Sequence, residues 1–218
     1  MSWSFGVDEA GRGPAIGSMF AAAVAVRDET ILPAGIADSK ALTPSRREEL
    51  ATALRADDRV AVGVAEITPS RIDDPATDMN TLAVEAHAEA LSAISEAGVD
   101  AATGVLDACD VDAERFATRV ADRLSIDFAI TAEHRADDSR PLVSAASIVA
   151  KVERDAHVAR LAAEYGPVGS GYPSDPTTRR FLAIYVEEHD RLPDCARSSW
   201  KTCADVLAAA DQSSLAEF

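Results

Sequence analysis

Lysine is almost missing from this chain. Only Lys40, Lys151 and Lys201 occur among 21 basic residues, while 22 aspartates and 15 glutamates bring the formal charge to -16. The acid is spread along the whole length and alanine is abundant. That pattern suits a protein dissolved in very concentrated salt, so the charge describes the solvent and not the substrate. Read any other way, a charge of this sign would argue against a nucleic-acid partner. Cysteine is scarce as well. Cys109, Cys195 and Cys203 are an odd number with no CxxC spacing, which argues against a disulfide framework or a structural zinc site. Free thiols in a reducing cytoplasm are expected. Long apolar runs are also lacking. The longest, Ala15 to Val26, is about twelve residues, short of the roughly 20 a membrane span needs. Asp8 and Glu9 stand where a secretory leader would be apolar, so the chain is expected to be neither secreted nor anchored.

What is present is enough to fold. Hydrophobic residues make up 47 % of the 218, sufficient for one domain with an appendage or two small domains. No internal repeat appears. Phe5 to Glu9 predicts a short buried strand, closed by the turn Gly11-Arg12-Gly13-Pro14, and Ala15 to Val26 a long antiparallel neighbour. Thr43 caps and Pro44 opens a helix to about Ala56. Val60 to Ile67 alternates as a strand, and Asn80 to Ala97 repeats its apolar residues at helical spacing until Gly98. Gly104 to Ala108 reads as a strand, Ala113 to Leu124 as a helix, Ile126 to Thr131 as a strand and Ser144 to Tyr165 as a long helix. The order predicts an α/β fold, a mixed sheet with helices on its faces. Beyond Gly166 a Gly/Pro/Ser stretch leads to helical pieces at Thr177 to Glu188 and Lys201 to Ala210.

Four acids fall at strand ends. Asp8 and Glu9 finish the first strand, Asp107 finishes the apolar run Thr103 to Asp107, and Asp137 follows the Ile126 to Thr131 strand. Consecutive strand residues face opposite ways, so Asp8 and Glu9 are expected to share a pocket only if the strand breaks there, with Gly11 and Gly13 supplying the break. Carboxylates gathered in this way repel one another unless a divalent cation is bound. Oxygen ligands without Cys/His clusters point to magnesium or manganese. His87, His134, His157 and His189 are scattered and none is expected to be a ligand. Taken in isolation, Asp137 reads as one more solvated acid.

The blocks Gly6-Val-Asp-Glu-Ala-Gly-Arg-Gly-Pro14, Asp38-Ser-Lys-Ala-Leu42, His134-Arg-Ala-Asp137, Val143-Ser-Ala-Ala-Ser-Ile-Val-Ala-Lys-Val-Glu-Arg-Asp155 and Gly169-Ser-Gly-Tyr-Pro-Ser-Asp-Pro176 carry a resemblance. In that order, they resemble type 2 ribonuclease H (ribonuclease HII) in its archaeal form, and the charge pattern points to an extreme halophile. The resemblance implies a ribonuclease-H-like catalytic domain at 1–165, a C-terminal helical lobe at 166–211 and a tail at 212–218. It implies endonucleolytic cleavage of the RNA strand of RNA–DNA hybrids and cutting 5′ to ribonucleotides embedded in duplex DNA. Asp8, Glu9, Asp107 and Asp137 take the family's catalytic and metal-binding positions, for hydrolysis with two magnesium or manganese ions that leaves 5′-phosphate and 3′-hydroxyl ends.

The same resemblance gives Gly11, Arg12 and Gly13 the reading of the 2′-hydroxyl, where a Cβ would block backbone approach to a sugar. Tyr172 matches an aromatic that packs on deoxyribose. Lys40, Lys151 and Arg154 are expected phosphate contacts, with a salt bridge to a neighbouring acid as the alternative for Arg154. Gln212, Leu215 and Phe218 follow a Q-x-x-L-x-x-F pattern that resembles the peptide by which repair enzymes dock on the sliding clamp, and the same residues also read as a frayed tail. A monomer is expected. Two rival readings exist: another nuclease or strand transferase on this fold, against which the Gly-Arg-Gly and Gly-Tyr-Pro blocks argue, and a non-catalytic hybrid-binding protein, against which the complete acid set argues.

Overall fold

A computed structural model describes residues 2–36 and 42–215. The chain divides into two compact units. The first comprises Met1–Ala10, Phe20–Glu66 and Met79–Glu153, the second Gly11–Met19, Ile67–Asp78 and Arg154–Phe218.

The first unit is built on a five-stranded sheet of β1 (Trp3–Ala10), β2 (Met19–Val26), β3 (Val60–Ile67), β4 (Ala102–Asp107) and β5 (Ala129–Glu133) in the order β3-β2-β1-β4-β5. β1 pairs antiparallel with β2 and parallel with β4, which pairs parallel with β5. All eight residues of β2 are buried, as a central strand covered on both faces requires. Helix α1 (Pro44–Ala56) starts as its sequence predicts, with the Thr43 hydroxyl accepting from the Arg46 N–H at 3.3 Å. A four-residue turn of helix α2 (Pro69–Ile72) follows β3. Then come α3 (Met79–Glu96), α4 (Ala113–Ala121) and the 25-residue α5 (Pro141–Tyr165).

Alternation along β1 assigns its faces. Gly6 lies against the start of α5 so closely that a Cβ there would come within 2.3 Å of the Leu142 and Val143 backbone. The same face packs Ala22, Val24 and Val26 with Leu50 and Leu54 of α1 and Ala145, Ile148 and Val149 of α5. Phe5 and Val7 point to the opposite face, where Phe5 meets Phe128 at 5.5 Å. Thus α5 covers the even-numbered side of β1, which also carries Asp8, and Glu9 points to the other.

In the second unit α6 (Pro176–His189) and α7 (Lys201–Leu215) pack with the later turns of α5 around Ile16, Leu161, Val168, Phe181, Leu182, Cys195 and Cys203. Cys109, Cys195 and Cys203 form no disulfide. Among the described residues no helix is long and apolar enough to cross a membrane.

Some boundaries differ from the expectations. β2 begins at Met19 and not at Ala15, because Ala15 and Gly17 are engaged elsewhere: their N–H groups donate to Gly171 O and Cys195 O, both at 2.7 Å. Ile16 bridges Ala196, and Gly17 turns the chain at φ +79. Apolarity marked these residues as buried without saying which partner they pair with. β5 lies at 129–133, later than expected, since its start is fixed by Phe128 entering the core against Phe5. Helix α7 runs on to Leu215.

Candidate active site

β1, β4 and β5 run parallel, so their carboxyl ends share one edge of the sheet, the usual place for a site in such a fold. Asp107 is the last residue of β4, and Asp137 sits in the 3₁₀ turn Ala136–Asp138 just after β5. Asp8 and Glu9 lie within β1, paired with Ala22 and Ala21 of β2. The expected break at this point does not occur. The strand runs through to Ala10, and what ends is the ladder to β4, whose last pair is Val7 with Leu106. The two carboxyl groups therefore leave from opposite faces at an edge where β4 no longer separates those faces.

Each acid is held by the chain. Asp8 is 5 % exposed, and its Oδ1 accepts the Glu9 N–H at 2.7 Å. Burial, then the charges of Glu9 and Asp107, push its carboxyl well above the ordinary range, opposed by a hydrogen bond from the Ser147 hydroxyl of α5. Lys151, one turn on, donates Nζ to Ser147 Oγ at 2.7 Å. On the other face Glu9 Oε2 meets Nε2 of His87, a residue of α3 with no exposed surface, at 2.8 Å. The buried Nδ1 of His87 has no hydrogen-bond partner among the described residues. The His87 ring stands edge-on to Phe116 at 5.1 Å. Asp107 Oδ1 accepts the Ala136 N–H at 2.7 Å, a contact prepared by Arg135 in the left-handed region at φ 56. Burial first, then the charges of Glu9 and Asp137, raise the Asp107 carboxyl, while the Ala136 N–H and His87 pull it down. Asp137 is 7 % exposed.

Asp8 thus lies in the fields of Glu9 and Asp107, and Asp107 in those of Glu9 and Asp137. Among the described residues no three His, Cys, Asp or Glu side chains are placed to hold a metal ion together. The donor set still fits a hard divalent cation: it is all oxygen, and its members repel one another through a desolvated edge. Two residues that sequence reasoning missed, His87 and Ser147, orient the carboxylates from the two helices that flank β1. A lone histidine on an apolar helical face carries no signal that distinguishes it from core.

In the second unit Gly11, Arg12 and Gly13 form a turn, with Gly11 at φ +85. A Cβ at Gly13 would come within 3.4 Å of the ring of Tyr172, which is 40 % exposed. Arg154 lies over the same ring at 5.2 Å, pairs with Asp155 at 3.0 Å and donates to Ser170 O. The turn, Tyr172 and Arg154 are therefore brought together. Arg154 takes the salt bridge that was its alternative reading. Arg197, absent from the sequence expectations, donates to the carbonyls of Gly11, Arg12 and Gly17. Lys40 and Phe218 fall outside the described residues. Gln212 is exposed on α7, and Leu215 is the last residue of that helix.

Residues 5–203 match the family model for ribonuclease HII. Ribonuclease HII of Haloarcula marismortui is 62 % identical over 214 residues, 98 % of this chain and 99 % of that protein. The crystal structure of ribonuclease H2 from Pyrococcus horikoshii superposes with a TM-score of 0.86 at 36 % identity, covering 96 % of this chain and 99 % of the other. The ribonuclease HII in a PCNA complex from Archaeoglobus fulgidus gives a TM-score of 0.80 at 38 % identity, covering 93 % and 96 %.

Proposed function

The chain belongs to the ribonuclease HII family, enzymes that cleave the RNA of RNA–DNA hybrids, and we propose that it also cuts duplex DNA 5′ to a single embedded ribonucleotide. In this reading Asp8, Glu9, Asp107 and Asp137 hold two magnesium or manganese ions. The observation that supports it is that Asp107 neighbours the other three acids near the carboxyl ends of β1, β4 and β5, with the carboxyls of Asp8 and Asp107 raised by burial and then by like charges. When bound, the ions supply neutralisation of that charge, activation of water and stabilisation of the leaving 3′-oxygen.

The chain's own groups do the positioning. Ser147 and the Glu9 N–H fix the Asp8 carboxylate, His87 fixes Glu9, and the Ala136 N–H fixes Asp107. Held in this way, the acids need little reorganisation when the site is loaded. The protein forms no covalent bond to the substrate, and the products carry 5′-phosphate and 3′-hydroxyl ends.

Recognition falls to the second unit and to scattered cations. The Gly11–Gly13 turn reads the 2′-hydroxyl through backbone groups, and the half-open ring of Tyr172 packs on the neighbouring deoxyribose. Arg154, paired with Asp155, supports the Tyr172 ring, while Lys40 and Lys151 meet phosphates. For Lys151 this means exchanging the Ser147 hydroxyl for a phosphate oxygen. At molar salt the Debye length is about 3 Å, so the negative surface does little to repel a duplex and short contacts decide affinity. Gln212, Leu215 and Phe218 dock on the sliding clamp, a reading that the Archaeoglobus fulgidus complex favours. A pull-down with the clamp that survives deletion of 212–218 would remove it. The three free thiols suit a reducing cytoplasm.

The test is an end-labelled DNA duplex with one ribonucleotide, at high KCl, with and without magnesium or manganese. The expected result is metal-dependent cutting 5′ to the ribonucleotide, lost in Asp107→Asn. Binding without cutting in either metal would refute the catalytic reading. Equal cutting of an all-DNA control would refute the turn as a sugar reader.

A further inference from the structure

Among the described residues Arg197 is the largest fully buried side chain, yet no carboxylate is among its hydrogen-bond partners there. Its Nε donates to Gly17 O at 2.9 Å, Nη1 to Arg12 O at 2.9 Å and Nη2 to Gly11 O at 2.6 Å. The guanidinium carbon lies 5.3 Å from the centre of the Trp200 ring. Its backbone is tied to the same stretch, the Arg197 N–H donating to Ala15 O at 2.9 Å. The next two residues are pinned in turn, since the Asp73 carboxylate accepts the N–H groups of Ser198 at 2.7 Å and Ser199 at 2.9 Å.

Burying a guanidinium whose hydrogen bonds all go to carbonyl oxygens, with a ring face at 5.3 Å and the Asp73 charge acting without a hydrogen bond, is costly, and an apolar side chain would fill the space more cheaply if filling were the task. What the fork does is gather carbonyls. The described peptides are all trans, so a peptide whose oxygen is drawn to one side sends its N–H to the other. Drawing the oxygens of Gly11 and Arg12 onto Arg197 therefore turns the N–H groups of Arg12 and Gly13 away from the guanidinium. The third tether acts differently: at Gly17 the peptide is held at both ends, because the following Ser18 N–H donates to His157 Nε2 at 3.2 Å. Gly17 is thus the fixed end from which Arg197 reaches out to the turn.

We propose that Arg197 is the positioning residue of the Gly11–Gly13 turn, aiming its backbone donors at the sugar that distinguishes ribonucleotide from deoxyribonucleotide. This rests on the turn being the reader of the 2′-hydroxyl. A lysine could keep the charge, but a single ammonium cannot span Gly17 and the turn as the planar fork does.

The experiment uses the full chain at molar KCl, in wild-type, Arg197→Lys and Trp200→Leu forms. Amide hydrogen exchange of the 11–18 segment is read by mass spectrometry, and cleavage is measured on the single-ribonucleotide duplex and on a continuous RNA–DNA hybrid. In the continuous hybrid every register offers a 2′-hydroxyl, so a loosened turn still finds one. For Arg197→Lys the expected result is faster exchange confined to 11–18. The fall in kcat on the single ribonucleotide should exceed that on the hybrid by about tenfold or more, with KM little changed. Trp200→Leu keeps all three donors and should show the same pattern more weakly, so it carries the test if Arg197→Lys does not fold. Unchanged exchange with an unchanged ratio between substrates would overturn the positioning role. Faster exchange with equal losses on both substrates would instead show that the turn is not the sugar reader, and the proposal would fail at that premise.

Discussion

The two units bury charge in opposite ways. The first desolvates negative charge at one sheet edge, Asp8 and Asp107 each raised by burial and by like neighbours. The second desolvates a positive charge, Arg197, pulled down to about 10 by burial and so still protonated at neutral pH. Arg197 is answered by the chain itself, with three carbonyls on its fork. The carboxylates are only partly answered: single N–H or O–H donors orient them while the repulsion among them stays. A charge that the fold satisfies serves the fold's geometry. A charge that the fold leaves in conflict needs something from outside, and that contrast separates the acid edge of the first unit from the satisfied guanidinium of the second.

The largest expected effect comes from removing one member of the conflict. Asp107→Asn should lower metal-dependent cleavage by about a thousandfold, roughly 4 kcal/mol of lost transition-state stabilisation, while leaving the fold intact. A variant within about tenfold of wild type would mean that Asp107 is not part of the reaction centre and would break the comparison.

Neutralising the buried charge of each unit should then move stability in opposite directions. Arg197→Met strands the carbonyls of Gly11, Arg12 and Gly17 and should cost about 3–5 kcal/mol in denaturant unfolding. Asp8→Asn removes a carboxylate whose raised folded pKa makes its ionised form unfavourable in the fold. Its stabilising contribution is therefore present at low pH and lost as pH rises, so at neutral pH the metal-free variant should melt above wild type. A lower melting temperature for Asp8→Asn would show that the Ser147 and Glu9 contacts outweigh the repulsion.

The cation should close that gap from the other side. At a magnesium or manganese concentration about a hundredfold above its dissociation constant, linkage predicts about 2.7 kcal/mol of added stability for wild type. Asp8→Asn should gain less. Calorimetry showing equal gains for both proteins would place the bound ion elsewhere.

Asp8, Glu9 and Asp107 stood out in the sequence because their chemistry is local, charges at the ends of apolar runs, whereas Asp137 lies in a polar segment and entered only through the family resemblance. Their mode of assembly was not legible. Alternation demanded a break at Asp8 and Glu9, whereas the strand continues and a neighbouring ladder stops, a fact of pairing that no single strand displays. His87 resembled core because it sits among Leu82, Ala83, Ala86, Ala90 and Leu91 on the buried face of α3, and only the fold brings Glu9 to it. Arg197 was invisible for the opposite reason. It stands in the polar run Ala196-Arg-Ser-Ser-Trp200, where an arginine reads as solvated, and its partners lie 180 residues or more away. Arg154 was half legible, since Asp155 is its immediate neighbour and Ser170 and Tyr172 are not.

The smallest effect concerns a charge that is neither buried nor in conflict. Asp175 caps α6, its carboxylate accepting the Thr177 N–H at 2.9 Å and the Ser170 N–H at 2.6 Å, and these donors lower its pKa to about 2. A carboxyl depressed in the fold adds stability above its unfolded value of about 3.9 and loses it as pH falls from there through the folded value. Asp175→Asn keeps an acceptor at the cap but has no charge to lose. The melting temperatures of wild type and Asp175→Asn should therefore differ by a few degrees or less at pH 5 and converge toward pH 2. The difference should persist in molar KCl, because N–H contacts at these distances are not screened as an exposed ion pair such as Arg46 with Glu49 would be. Curves that stay parallel down to pH 2 would mean that the cap works through shape alone. The charge of Asp175 would then be a property of the acidic surface.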